Sequence, residues 1–188
     1  MNMNANLLAS RLWPSTGLAR NAVLALAGSL FVALAAQVSV PMLPVPMTLQ
    51  TMAVLAVGAA YGARLGAATL ALYALEGAVG LPVFANFYAG FAVLMGPTGG
   101  YIAGFILAAA LVGFLVERGW GTNVLKLSAA MLLGAAAVYG PGLLWLAQFT
   151  GVSAVWQAGL WPFLPGDIVK AILAALMIPA AQAMVPKK

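Results

Sequence analysis

Apolar residues in this chain neither alternate with polar ones nor keep to one stripe; they fill long runs on every side. Six runs stand out: Leu18 to Ala36, Thr48 to Gly62, Leu65 to Gly80, Tyr101 to Val116, Lys126 to Trp145 and Asp167 to Met184. A helix that is apolar all round sits in a large core or in lipid. Crossing a bilayer takes about 20 residues. The pattern predicts an all-α membrane protein with six transmembrane helices. The organisation expected is a cytoplasmic leader over 1–17, one six-helix transmembrane domain over 18–185 and a tail over 186–188. The leader is long, and the basic residues that follow agree with a retained first span rather than a cleaved signal peptide.

The breaks between the runs are unusual. Val40 to Met47 holds Pro41, Pro44 and Pro46, which exclude a regular helix and favour an extended path. The segment is apolar and uncharged, and extended backbone at membrane depth needs protein or water to satisfy it. It reads as a loop tucked over a cavity. The run that follows covers only about 20 Å of a roughly 30 Å hydrocarbon core. A short helix leaving a Pro-rich loop points to a site. The link from Gly80 to Tyr101 also lacks charge and carries Phe84, Phe87, Tyr88 and Phe91. An ordinary solvated loop is polar; this one reads as a lid. Asn86, which both donates and accepts, is its best hydrogen-bonding side chain. In Gly96-Pro-Thr-Gly-Gly-Tyr101, Thr98 and the glycines either form a capped turn or present backbone N–H groups at the start of the fourth span. Pro141, within Tyr139-Gly-Pro-Gly142, is expected to kink or fray the fifth span.

Of the charged residues within these runs, Asp167, Lys170 and Glu76 are the candidates for chemistry. Asp167 and Lys170 lie three apart and share a helix face. A charge at membrane depth costs at least a few kcal/mol, so it usually faces a protein interior or polar cavity. The alternative is a self-contained pair, with Asp167 at the helix N-terminus and Lys170 neutralising it. Glu76 shares a face with Thr69, Tyr73 and Gly80; it meets Lys170, bonds a ligand or reaches interfacial water. In the first run Ala25, Ser29 and Ala33 form a row of small residues, suited either to internal packing or to an external helix.

Composition agrees: 64% of residues are hydrophobic, 6% are charged and the mean hydropathy is +1.05. A soluble domain of 188 residues has too little interior to hide that much apolar surface. The absence of Cys and His removes thiol nucleophiles, imidazole bases, disulfides and Cys/His metal sites. The net charge of +5 is spread singly over span ends and does not indicate nucleic acid. With six spans, one side holds Arg11, Arg20, Arg64, Arg118, Lys126, Lys187 and Lys188, seven of the eight basic residues. Lys and Arg concentrate in cytoplasmic loops, so both termini are expected in the cytoplasm. The Pro-rich loop, the aromatic lid, Asn86, Glu76, Asp167 and Lys170 then lie toward the outside. Few charges among many aromatics suit a ring-bearing, mostly neutral solute with at most one anionic group.

Four motifs in this order, Val40-Pro-Met-Leu-Pro-Val-Pro-Met-Thr-Leu-Gln-Thr51, Gly80-Leu-Pro-Val-Phe84, Gly96-Pro-Thr-Gly-Gly-Tyr101 and Leu164-Pro-Gly-Asp-Ile-Val-Lys170, resemble the BioY family. These are the biotin-binding S components of energy-coupling factor (ECF) transporters, and the resemblance runs from about residue 20 to 180. It implies an outward-facing pocket capped by loops 1–2 and 3–4 and high-affinity biotin capture at the cytoplasmic membrane. It also implies partners: a transmembrane coupling (T) component and ABC-type ATPase subunits. A homo-oligomer acting without the ATPases is a further option, and no cofactor is implied. Asp167 would accept from the ureido N–H groups, Asn86 would both donate and accept, and Lys170 would pair with the valerate carboxylate. Thr98 and Tyr101, with neighbouring backbone N–H groups, form a second candidate for that carboxylate. Phe84 and Tyr139 would supply aromatic wall, and Glu76 completes the candidate ligand set.

The chain contains no Gly-Lys dipeptide, hence no G-x-x-x-x-G-K-[ST] phosphate loop, so uptake must be driven by partners or by a gradient. A membrane-embedded enzyme would need a nucleophile with a base, or a metal cluster. There is no G-x-S-x-G, no His and no close carboxylate pair. A non-transport scaffold subunit fits poorly with Asp167, Lys170 and an uncharged aromatic lid. Among other vitamins, thiamin is a cation and meets Lys170 badly, while riboflavin is larger and lacks a carboxylate.

Overall fold

The computed structural model of the chain describes residues 7–13 and 17–184, without the side chains of Arg11, Leu12, Ala181 and Gln182. Most of the predicted leader, the tail, and the side chains of Arg11, Lys187 and Lys188 lie outside the described residues. The described chain is helical, apart from one two-stranded hairpin.

A short helix α1 (Leu8–Leu12) precedes α2 (Leu18–Gln37), which ends at an antiparallel pair, β1 (Ser39–Val40) and β2 (Met47–Thr48). The predicted extended path through the prolines is therefore the tip of a small hairpin. The helices α3 (Gln50–Tyr61) and α4 (Ala63–Ala78) follow, then a 3-10 turn (Ala85–Phe87) and a short α5 (Phe91–Met95). The rest is α6 (Gly99–Glu117), α7 (Val124–Thr150), the short α8 (Val155–Gly159) and α9 (Leu164–Met184). Each predicted run corresponds to one helix of at least twelve residues: α2, α3, α4, α6, α7 and α9. Among the described residues, four stretches are long and apolar enough to cross a membrane: Leu18–Gln37, Gly99–Glu117, Val124–Thr150 and Val155–Ala180.

The short helix α3 has only 12 residues, and nine of them are buried. It is wrapped by neighbouring helices, packing on α2, α4, α6 and α9. Protein rather than lipid is its surroundings, which removes the need to span a full hydrocarbon thickness. The helix α6 packs on both α3 and α7. Glycine lets those backbones approach: a Cβ at Gly58 would meet the Ala109 backbone, and one at Gly104 would meet that of Val138. Pro141 does not fray α7, which runs for 27 residues to Thr150. The turn around Pro141 is packed against Gly100 and Gly104 of α6, and tertiary contact holds it helical.

The row Ala25, Ser29 and Ala33 is buried within the bundle, so internal packing is its use. A Cβ at the adjacent Gly28 would meet Thr69 of α4 and Tyr61 of α3. The predicted external-partner role for this row does not survive, because its surface is already occupied.

Polar residues separate to the two ends. At one end Glu117 accepts a hydrogen bond from the Ala63 N–H (3.0 Å), and Arg20 donates to the Ala9 carbonyl (2.8 Å). Leu7 sits beside Gly62 at that same end. The Pro-rich hairpin, the aromatic loop, Asp167 and Lys170 gather at the opposite end.

Candidate functional site

The helix α9 begins at Leu164, which places Asp167 in its first turn and Lys170 one turn on. Both are buried, at 7% and 8% exposure. The Lys170 Nζ donates to Asp167 Oδ1 at 2.9 Å and to the Thr48 carbonyl at 2.7 Å. Tyr139 of α7 donates its phenol proton to the other carboxylate oxygen, Oδ2, at 2.6 Å. Charged hydrogen bonds of this kind offset the desolvation of a buried ion pair. They also leave capacity: one ammonium N–H is unused among these contacts, and each carboxylate oxygen can accept again.

These groups form one wall of a cavity of about 960 Å³. Its volume lies within the range of about 300–1,000 Å³ usual for small-molecule sites. The Pro-rich hairpin, from Pro41 to Pro46, covers part of it, and the loop between α4 and α6 covers another part through Phe84, Ala85, Asn86 and Tyr88. Tyr73, Tyr101, Phe105 and Phe163 supply aromatic wall.

Seven of the predicted site residues line this cavity: Asp167, Lys170, Asn86, Tyr101, Thr98, Phe84 and Tyr139. Several also make contacts within the protein. Tyr101 donates its hydroxyl to the Gly159 carbonyl (2.8 Å), so its proton is committed and its ring faces the cavity. The Thr98 hydroxyl rests on the Val93 carbonyl at 3.4 Å, and Thr98 does not cap α6 with its side chain. Phe84 is 2% exposed and packs edge-on against Tyr73, with ring centroids 5.6 Å apart.

Glu76 is not brought to the cavity, nor to Lys170. It accepts a hydrogen bond from Ser29 of α2 at 3.0 Å and joins α2 to α4. The face it shares with Tyr73 on paper is split in three dimensions, because Tyr73 turns inward and Glu76 toward α2.

Sequence reasoning missed the residues that hold the lid. The Gln37 side-chain amide, at the end of α2, donates to the Phe84 carbonyl and accepts from the Phe87 N–H, both at 3.0 Å. Ser39 donates to Asn86 at 3.2 Å. Asn86 and Phe87 both have left-handed backbone, with φ of 58° and 57°. Asn tolerates that region; for Phe it is strained and persists only where neighbours hold it. Gln50 and Tyr73 were also missed as a buried pair, bonded at 2.7 Å.

Fold and cavity together define a multi-pass helical membrane protein with a lidded small-molecule chamber at one end of its bundle. The chain belongs to the BioY family, whose model matches residues 3–187. It is 41% identical over 152 residues to the probable biotin transporter BioY of Pyrococcus horikoshii, covering 79% of this chain and 90% of that one. It is 38% identical over 143 residues to the biotin transporter BioY of Thermotoga maritima, covering 76% and 83%. Its fold is similar to the 2.1 Å crystal structure of the S-component for biotin from an ECF-type ABC transporter. That match has a TM-score of 0.78 at 23% identity and covers 90% of this chain and 95% of the other.

Proposed function

We propose that this chain captures biotin and delivers it across the cytoplasmic membrane as the substrate-binding component of an ECF-type transporter. The observation that carries the reading is the Tyr139–Asp167–Lys170 cluster in the wall of an otherwise aromatic and apolar chamber, in a chain of the BioY family. The chamber suits a small bicycle with one polar edge. The ureido group of biotin places two N–H donors beside one carbonyl, and the cluster places carboxylate lone pairs beside a free ammonium N–H. Asp167 takes the ureido N–H groups, and Asn86 in the lid is close enough to the chamber to donate and accept.

Lys170 was expected to pair with the ligand carboxylate. Its ion pair with Asp167 argues for a different role: a neutralised Lys170 donates to the ureido carbonyl. The ligand carboxylate then turns to the N-terminal end of α6 beside Thr98, where the helix dipole favours an anion. Phe84, Tyr101 and Tyr139 hold the ring.

In this reading all six long helices lie in the membrane, both termini face the cytoplasm and the lidded end faces outward, as the charge bias requires. The sequence has no phosphate-binding loop, and in this reading a T component and ABC-type ATPases supply the energy for release. Calorimetry on the purified chain in detergent tests the core of this reading. Tight one-to-one binding of biotin, with thiamin and riboflavin silent, is the expected result. A folded sample that ignores biotin overturns it.

A further inference from the structure

We infer that Gln50 and Tyr73 are positioning residues that make closure of the lid conditional on the state of the Lys170 end of the chamber; the inference rests on the biotin reading above. Two sets of hydrogen bonds that meet at Thr48 connect the two. Lys170 donates to the Thr48 carbonyl (2.7 Å), and the Thr48 hydroxyl donates to Gln50 Oε1 (3.1 Å). Gln50 Nε2 donates to the Tyr73 hydroxyl (2.7 Å), and that hydroxyl donates to the Val83 carbonyl (3.0 Å) at the base of the lid. Every donor points the same way, and the two sets meet through the covalent frame of Thr48, whose carbonyl accepts from Lys170 and whose hydroxyl donates to Gln50, so what passes across Thr48 is position rather than polarisation.

The burial of these groups supports a specific role. Tyr73 is fully buried and Gln50 is 6% exposed. A buried amide costs about 1–3 kcal/mol if a partner is lost, so Gln50 cannot let go of Tyr73 without penalty. Gln50 also fixes direction. Because its amide donates to Tyr73, the single phenol proton must go to Val83, and Tyr73 cannot satisfy itself elsewhere. Phe84, one residue on, is seated edge-on against the Tyr73 ring. Thr48 itself belongs to the hairpin over the chamber, so one network ties both covers to α9. A ligand that engages Lys170 and Asp167 fixes Thr48 from below, and the relay passes that order to Val83. Without those added contacts the same bonds open more readily, and the lid base with them.

The chain has no cysteine, so a single nitroxide can be placed at Ala89→Cys, an exposed lid position outside the chamber wall. With Tyr73 and Gln50 intact, saturating biotin is expected to immobilise the label. Two further variants carry the test. Tyr73→Phe removes the proton that reaches Val83. Gln50→Met keeps the volume and leaves Tyr73 able to bond Val83, but removes the side-chain bridge between Thr48 and Tyr73, while the Gln50 N–H still donates to the Thr48 hydroxyl at 3.1 Å. In both, saturating biotin is expected to leave the label mobile, and biotin is expected to leave about ten-fold faster with its association rate little changed. Equal immobilisation in all three proteins overturns the relay. Immobilisation lost in Tyr73→Phe but kept in Gln50→Met also overturns it, leaving a local Tyr73–Val83 tether. If the labelled protein with both residues intact binds no biotin, the biotin reading itself falls, and the relay with it.

Discussion

Tyr139 on α7 donates to Asp167 on α9 across 2.6 Å, and Lys170 holds the opposite oxygen of the same carboxylate at 2.9 Å. The carboxylate is thus held from two helices by the protein's own groups. Pre-organisation of this kind removes ordering costs from the binding step.

Asp167→Asn is expected to weaken biotin by about ten- to hundred-fold, because an amide presents a donor where the ureido N–H needs an acceptor. The substitution also strips Lys170 of its counter-charge in a buried place, so some loss of thermal stability accompanies it. Calorimetry with a parallel melting curve separates the two. Unchanged affinity in a folded variant would remove Asp167 from the ligand contacts.

Lys170→Ala discriminates between the two roles open to the ammonium. If it donates to the ureido carbonyl, biotin and a biotin amide lose affinity by the same factor. If it pairs with the valerate carboxylate, biotin loses much more than the amide. Equal losses are expected, since Asp167 already neutralises the charge.

Tyr139→Phe keeps the ring and deletes one charge-assisted hydrogen bond. A loss of about ten-fold in biotin affinity is expected, carried mainly by faster dissociation. Stopped-flow displacement of bound biotin would measure it, and an unaltered dissociation rate would show that Lys170 alone orients the carboxylate.

Much of this site was legible because its chemistry is local or compositional. Asp167 and Lys170 declare themselves by a three-residue spacing in an apolar run. The covers declare themselves by missing charge where charge is usual. The contacts that hold those covers were not legible. Gln37 meets Phe84 and Phe87 from about 50 residues away, and Gln50 meets Tyr73 from 23 away. No spacing rule encodes which helices lie side by side. Glu76 illustrates the reverse failure. A helix face predicts which residues align, but the neighbour that the face meets decides whether a carboxylate ends in a chamber or on a serine. Tyr101 was expected beside Thr98 as a candidate for the ligand carboxylate; the direction of its hydroxyl depends on the Gly159 carbonyl 58 residues on.

That placement makes Glu76→Gln a sharp control. The amide can still accept from Ser29, and Glu76 does not line the chamber. Biotin affinity is expected to change by less than about two-fold, since the residue does not line the chamber. A large loss measured by calorimetry would return Glu76 to the site and revise the α2–α4 contact.

Gly77 and Phe84 provide the test of the lid seat. A Cβ on Gly77 would collide with the Phe84 ring. Phe84 lies in the loop whose base Tyr73 holds, and its ring is buried against α4. Gly77→Ala therefore expels the ring or tilts the loop, and either change opens the chamber to water. Biotin dissociation is expected to accelerate by about ten-fold or more. The loss should be reversible by size: Gly77→Ala combined with Phe84→Leu returns room for the new methyl, and its retention should rise to that of Phe84→Leu alone. Recovery in the double variant would identify steric displacement of Phe84 as the cause. A double variant as leaky as Gly77→Ala alone would place the fault in α4 itself, and the seat of the lid would have to be sought elsewhere.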